Sequence, residues 1–287
     1  MLFKSPDEFV RAPRHAVTVF GMSGVGKTRL AALLRQAHWF HYSVDYRIGT
    51  RHMGEYIVDN FKSEAMKVPF LRQLLRTDSI KIASNIRFSN LDPLSTYLGK
   101  PGNPARGGIS FAEYKRRQHQ HREAEIASLL DVPSFIVKAR DIYQYGNFVC
   151  DSGGSLCEVV DPSNPFDPVL SCLSQNSLLL YIEGTPEHTR MLVERFRKHP
   201  KPMYYQPQFL ETKWAEYKAL NEIENDDDVD PDGFAVWGFE QLLHHRIPLY
   251  KAIADNFGYT VRMRDIPAVQ SIADFEALVA QAIDQKQ

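Results

Sequence analysis

Apolar residues in this chain fall into two alternating patterns. Short runs that are apolar at nearly every position read as strands buried on both faces. Longer stretches with apolar residues every three or four positions read as helices packed on one side. His15–Phe20 is a run of the first kind, rich in β-branched residues. Thr28–Gln36 is of the second kind, with Leu30, Ala31, Leu33 and Leu34 at helical spacing and no Gly or Pro. Trp39–Val44 predicts a second strand ending at Asp45, and Gly54–Phe61 a helix with Ile57 and Phe61 on one face. Ser63–Arg76 also reads as helical, whereas Lys100–Gly108 is a loop by its Pro, Gly and Asn content.

The alternation continues to the end of the chain. Phe111–Leu130 predicts a long polar helix stopped by Asp131-Val132-Pro133. Asn147–Cys150 is a third strand ending at Asp151, and Ser177–Ile182 a fourth. A helix over Pro186–Lys198 follows, with Thr185 as N-cap, Pro186 at its first position and His188 at N3. Gln241–Phe257 reads as helix closed by Gly258, Tyr259–Met263 as the last strand, and Ser271–Gln285 as a terminal helix. Strands alternating with helices predict an α/β fold with a parallel sheet and right-handed crossovers. Ligands of such sheets bind beyond the carboxyl ends of the strands. Gly21, Asp45 and Asp151 all fall at those ends, so one cleft is expected to gather them.

The sharpest chemistry lies between the first strand and its helix. Residues 21–28 read Gly21-Met22-Ser23-Gly24-Val25-Gly26-Lys27-Thr28, a complete G-x-x-x-x-G-K-[ST] phosphate loop. Its glycines let successive backbone N–H groups of Ser23, Gly24, Val25 and Gly26 turn inward on phosphate oxygens. Lys27 is expected to reach the β- and γ-phosphates and the Thr28 hydroxyl to ligate Mg²⁺. The helix N-terminus adds its positive end to the same anion. The expected cofactors are therefore ATP and Mg²⁺.

Two carboxylates compete for the remaining acid–base work. Asp45 at the second strand end and Asp151 at the third are each placed to hold Mg²⁺ or its water, or to take a proton from an acceptor hydroxyl. Gly153 and Gly154 after Asp151 would let a ligand approach the backbone closely. Arg195 and Arg197, with Lys198 and Lys201, cluster where a helix runs into a proline-rich segment. Cations there are suited to spreading charge on a transferring phosphoryl group. The Asp228-x-Asp230-x-Asp232-Gly233 stretch begins like a calcium loop, but Phe239 stands where its closing Glu would be and Pro231 interrupts it. It reads as a solvated acidic loop.

Composition narrows the class of partner. With 287 residues, 44% hydrophobic, 24% charged and a formal net charge of −1, the chain lacks the basic excess of a nucleic-acid or membrane surface. No apolar run approaches the length of a membrane span, and Met1–Arg14 has no signal-peptide core. Three cysteines, an odd and sparse set, fit free thiols and a cytoplasmic setting. No H-E-x-x-H, G-x-S-x-G or N-K-x-D pattern competes with the phosphate loop.

In this order, the features resemble the small-molecule kinases of the nucleoside-monophosphate-kinase-like class, and the shikimate kinases in particular. Four segments carry the resemblance: Gly21–Thr28; Asp45 followed by Gly54-Glu55-Tyr56-Ile57 and Phe61; Asp151-Ser152-Gly153-Gly154; and Leu178–Ile182 with Thr185-Pro186-Glu187 and Glu194-Arg195, running into Pro200-Lys201-Pro202-Met203-Tyr204. Arg246–Tyr250 and the stretch into Gly258-Tyr259 are similar to the family's last helix and strand. The resemblance implies a P-loop NTPase three-layer fold with a five-stranded parallel sheet in the order 2-3-1-4-5. It implies one kinase-like domain over 1–287, a helical insertion at 62–146 and a lid-like segment at 195–235. It also implies ATP in the loop, Arg195 or Arg197 closing over it, and adenine near the segment after Met263.

Departures from that pattern point to a different acceptor. Arg47 stands where the family has a second carboxylate, Ser155 replaces a third glycine, and residues 62–146 are extra. Asp45, Arg47, Arg51, Arg122, Gly153 and Gly154 are the candidate acceptor contacts. The expected activity is phosphoryl transfer from ATP to a small-molecule hydroxyl. An ATPase driving a conformational or partner-binding change, and a nucleotide-binding module with little turnover, stand as rivals.

Overall fold

The protein is described by a computed structural model over residues 2–286. β1 (Ala16–Phe20) is the middle strand of five. β2 (Trp39–Ser43), β3 (Asn147–Asp151), β4 (Leu178–Glu183) and β5 (Gly258–Arg262) join it in the order β2-β3-β1-β4-β5. Every pairing is parallel, with Val19 opposite both Asp151 and Leu180. Val17, Val19, Val149 and Leu178 through Leu180 are fully buried, as strands covered on both faces must be. The polar exception in β1 is Thr18, whose hydroxyl meets the Ser177 hydroxyl at 2.7 Å. The sheet order and its flanking helices are those of the P-loop NTPase α/β fold, as the family resemblance implies.

The chain divides into two compact units: one over 1–44, 126–200 and 236–287, the other over 45–125 and 201–235. The first contains the sheet with the helices Lys27–Gln36, Val132–Asp141, Pro168–Asn176, Pro186–Lys198 and Ile272–Lys286. Its core is aromatic at one edge, where Trp39 meets Phe275 edge-on at 5.5 Å. The second is helical, with Gly54–Met66, Pro69–Arg76, Asp92–Leu98 and Pro207–Leu220. There Phe111 stacks on Trp214 at 4.4 Å, and Phe234 meets Trp214 edge-on at 4.8 Å.

Several boundaries differ from the sequence reading, and proline explains most of them. Ser63–Arg76 is two helices, because the first runs on to Met66 and Pro69 opens a second. Asp131-Val132-Pro133 ends one helix and at once starts another, Val132–Asp141. Pro168 and Pro207 likewise open helices that apolar spacing alone does not reveal, capped by the Asp167 and Gln206 side chains. A proline lacks the N–H that the first turn would leave unpaired anyway, so it starts helices as readily as it stops them. The last long helix begins at Pro231 rather than Gln241.

Gly258 is also not the left-handed closing residue expected. It is the first residue of β5, and an added Cβ would lie 2.3 Å from the Leu179 carbonyl oxygen. The glycine is there for close approach to β4. β2 stops at Ser43, and Val44 opens a short helix that carries Asp45.

Candidate functional site

The phosphate loop leaves β1 at Gly21 and enters the helix Lys27–Gln36. Gly26 has φ +107°, and an added Cβ would meet Ile266 Cγ2 at 2.9 Å. Both the left-handed backbone and the contact exclude a larger residue there. Met22 and Val25 are buried and anchor the loop, while Ser23 and Gly24 are exposed at its crest. The Lys27 ammonium is buried and donates to the carbonyls of Gly21 and Met22, each at 2.8 Å. Its charge is thereby held inside the loop.

Asp151 ends β3 beside this loop. Thr28 Oγ1 donates to Asp151 Oδ2 at 3.1 Å, and the Gly153 N–H donates to the other carboxylate oxygen at 3.3 Å. Asp151 is buried, so both oxygens are oriented by the fold. His41 on β2 feels the same carboxylate. Burial holds its imidazole below the ordinary value, Asp151 pulls it back up, and Arg35 adds to the lowering. A hydroxyl and a carboxylate side by side are hard oxygen donors of the kind Mg²⁺ takes when phosphates complete its shell. The pair therefore fits that ion. Among the described residues, no three His, Cys, Asp or Glu side chains gather into a cage that would hold a metal without such help.

The glycine turn after Asp151 is braced from the long helix Pro231–Phe257. Gly154 O accepts from Arg246 Nη1 at 2.7 Å and from the Tyr250 hydroxyl at 2.6 Å. The Gly154 Cα faces open space, with nothing within 4 Å of an added Cβ. Arg246 Nε also donates to Glu158 Oε1 at 3.0 Å, and both side chains are buried. Burial alone would lower the Arg246 pKa, but the facing Glu158 charge, Tyr250, Cys157 and the hydrogen bond to Glu158 together outweigh it and the net shift is upward. Sequence reasoning gave this pair no role. Its signal was a cation on an apolar face, since Leu242, Leu243, Arg246, Tyr250 and Ile253 share one buried side of the helix.

The helix Pro186–Lys198 starts next to the loop. The Thr185 hydroxyl caps it by accepting from the His188 N–H at 3.1 Å, the cap that the sequence predicts. Arg195 and Arg197 lie exposed in its last turn, with Arg197 Nη2 3.2 Å from Glu240 Oε2. A cavity of about 480 Å³ elsewhere in this unit follows β5, between Lys251, Arg262 and Lys286; no phosphate-loop residue lines it.

Asp45, Arg47 and Arg51 belong to the second unit. Asp45 and Arg47 are half-buried in the short helix Val44–Arg47. A π-helical turn, Ile48–His52, follows and is closed by the Met53 N–H on the Ile48 carbonyl at 2.7 Å; the exposed Arg51 lies in it. Tyr46 stacks on Phe88 at 4.6 Å, and Ile86 fills the space over Gly49. Arg122 is half-buried on the polar helix Phe111–Leu130.

No family model matches the chain, and no curated protein sequence matches it. Among solved structures, it is similar to the shikimate kinase from Acinetobacter baumannii in complex with shikimate. The identity is 14% over 89% of this chain and 86% of that one, with a TM-score of 0.38. It is also similar to the shikimate kinase from Bacteroides thetaiotaomicron, at 14% identity over 94% and 97% and the same TM-score of 0.38. At these values the likeness concerns the fold alone. Among the described residues, no helix is long and apolar enough to cross a membrane.

Proposed function

We propose that this protein is an Mg²⁺-dependent phosphotransferase that moves the γ-phosphoryl group of ATP to a small-molecule hydroxyl. The observation that carries the reading is the 3.1 Å bond between Thr28 and Asp151 beside a complete phosphate loop. Those two oxygens would hold the metal, and the metal would neutralise charge on the phosphates. The loop backbone over Gly21, Ser23, Gly24, Val25 and Gly26 would cradle the phosphates. Lys27 would leave its two carbonyls for them.

Asp45 or Asp151 would accept the proton of the attacking hydroxyl, and Arg195 and Arg197 would spread the charge of the transferring group. Arg47, Arg51, Gly153 and Gly154 are the acceptor contacts in this reading. Residues 62–146 form the acceptor- or partner-binding insertion of one kinase-like domain, and 195–235 its lid. Its partners are then ATP and a small molecule rather than nucleic acid or membrane, in the cytoplasm. Catalysis of this kind is mainly positioning and electrostatics.

The test is ADP release from Mg·ATP, with the protein alone and then against sugars, nucleosides and small hydroxy acids. A slow basal rate raised sharply by one compound supports the kinase and identifies its acceptor class. Steady turnover that no compound changes replaces it with an ATPase. No turnover under any condition overturns both.

A further inference from the structure

His188 packs directly against the phosphate loop. A Cβ added to Gly24, at the exposed crest, would meet His188 Nε2 at 3.1 Å, and one added to Gly184 would meet Nδ1 at 3.1 Å. His188 is a buried residue, at 5% relative exposure. Nδ1 has no hydrogen-bond partner among the described residues. A buried ring nitrogen without an acceptor is most cheaply kept as the bare lone-pair atom, which puts the proton of the neutral ring on Nε2. That N–H then lies beside Gly24 of the phosphate loop.

We propose that His188 is a further ligand of the loop anion, donating from Nε2 to a polyphosphate and taking up a proton as that polyphosphate binds. The proposal rests on the reading that the loop holds a nucleotide's phosphates. Met22 and Val25 of the loop share the space over Gly184 with Nδ1, and Leu192 of the same helix shares the space over Gly24 with Nε2, all three apolar. The charges acting on the ring are Arg195 on its own helix and Lys27 on the loop helix, both cations. Burial first, and then these cations, hold the free imidazole below its ordinary value. A polyphosphate brings several negative charges to the same place and reverses the sign of the local field. Protonation of the ring is then favoured in the complex, and binding tightens as pH falls. The proton comes from solvent, and no bond to phosphorus is made or broken.

The probe is inorganic pyrophosphate, titrated by calorimetry at pH 6 and pH 8 into wild type, His188→Ala, His188→Gln and Lys27→Ala. Gln carries a neutral donor near the Nε2 position but cannot take up a proton. The expected result is that His188→Ala weakens binding about tenfold at pH 6, the size of one charge-assisted hydrogen bond. His188→Gln should keep most of the affinity at pH 8 and lose the gain at pH 6. The histidine proton resonance missing from the His188→Gln spectrum should shift its titration midpoint upward when pyrophosphate is added to wild type. Pyrophosphate bound equally by wild type and both His188 variants, yet lost in Lys27→Ala, overturns the role of His188 and leaves the loop reading standing. No binding by wild type, or binding untouched by Lys27→Ala, overturns the loop reading and this proposal together.

Discussion

The two units of this chain reach order by different means. In the sheet unit, the frame is set by backbone, in parallel registers and a glycine loop, and side-chain ties such as Arg246 and Tyr250 on Gly154 O are added to that frame. In the helical unit, side chains tie distant segments to one another's backbone. The Tyr114 hydroxyl and Gln118 Nε2 both donate to Met203 O, at 2.8 and 3.1 Å, and the Tyr205 N–H donates to Gln118 Oε1 at 2.8 Å. Gln118 is 2% exposed. Asp226 collects Trp214 Nε1 at 3.0 Å and the Lys218 ammonium at 2.7 Å. A sheet specifies its own geometry, whereas packed helices need polar ties to choose one arrangement among several.

That contrast can be broken at four points. The largest effect is on chemistry in the sheet unit. Lys27→Ala should lower ATP turnover by at least about a hundredfold, as loss of a charge on the reacting phosphates does. Far-UV circular dichroism should be unchanged. Normal turnover by this variant would remove the loop from the reaction.

Next is the buried charge pair of the sheet unit, Arg246 with Glu158. Arg246→Met removes the guanidinium from the buried Glu158 carboxylate and should cost about 3–5 kcal/mol in urea unfolding. The double variant Arg246→Met/Glu158→Met should recover most of it. Failure of the double variant to recover would mean that the hold on Gly154, and not the charge pair, supplies the stability.

In the helical unit, Gln118→Ala should cost about 1–3 kcal/mol, since Met203 O and the Tyr205 N–H lose a buried partner. A smaller loss would weaken the argument that polar ties set this unit. The smallest effect is expected at the solvent-exposed pair. Glu240→Gln, which releases Arg197, should change stability by less than about 0.5 kcal/mol. A larger change would mean that the pair contributes to the fold after all.

The sheet unit was legible because its signals are local. An apolar run, a glycine loop and an acid after a strand each lie within a few residues, so the strands and the phosphate loop between β1 and its helix are readable locally, whereas the strand order came only with the family resemblance. Boundaries failed where proline served as a start signal, at Pro69, Pro133, Pro168 and Pro207. Gly258 failed because its reason lies in Leu179, on another strand. The Arg246–Glu158 pair and the ring of His188 against Gly24 join residues 88 and 164 positions apart. Helical spacing sets Arg246 on the same face as Tyr250 and His188 on the same face as Leu192, but spacing alone names no partner. Residues 62–108 gave the least, because their helices are short and few of their residues are fully buried.

The π-helical turn at Ile48–His52 makes the chain's length, more than its letters, matter in that stretch. Its closing bond spans five residues where an ordinary helix spans four. Losing one residue there would restore the ordinary ladder and rotate everything before the break against everything after it by about 100°, one residue's worth of turn. Asp45 and Arg47 would then look out on a different side from the helix Gly54–Met66. Substitutions can accumulate in this stretch one at a time, but an insertion or deletion would have to be matched by a second one nearby. The spacing from Asp45 to Gly54 is therefore a more durable mark of descent than the residues that occupy it.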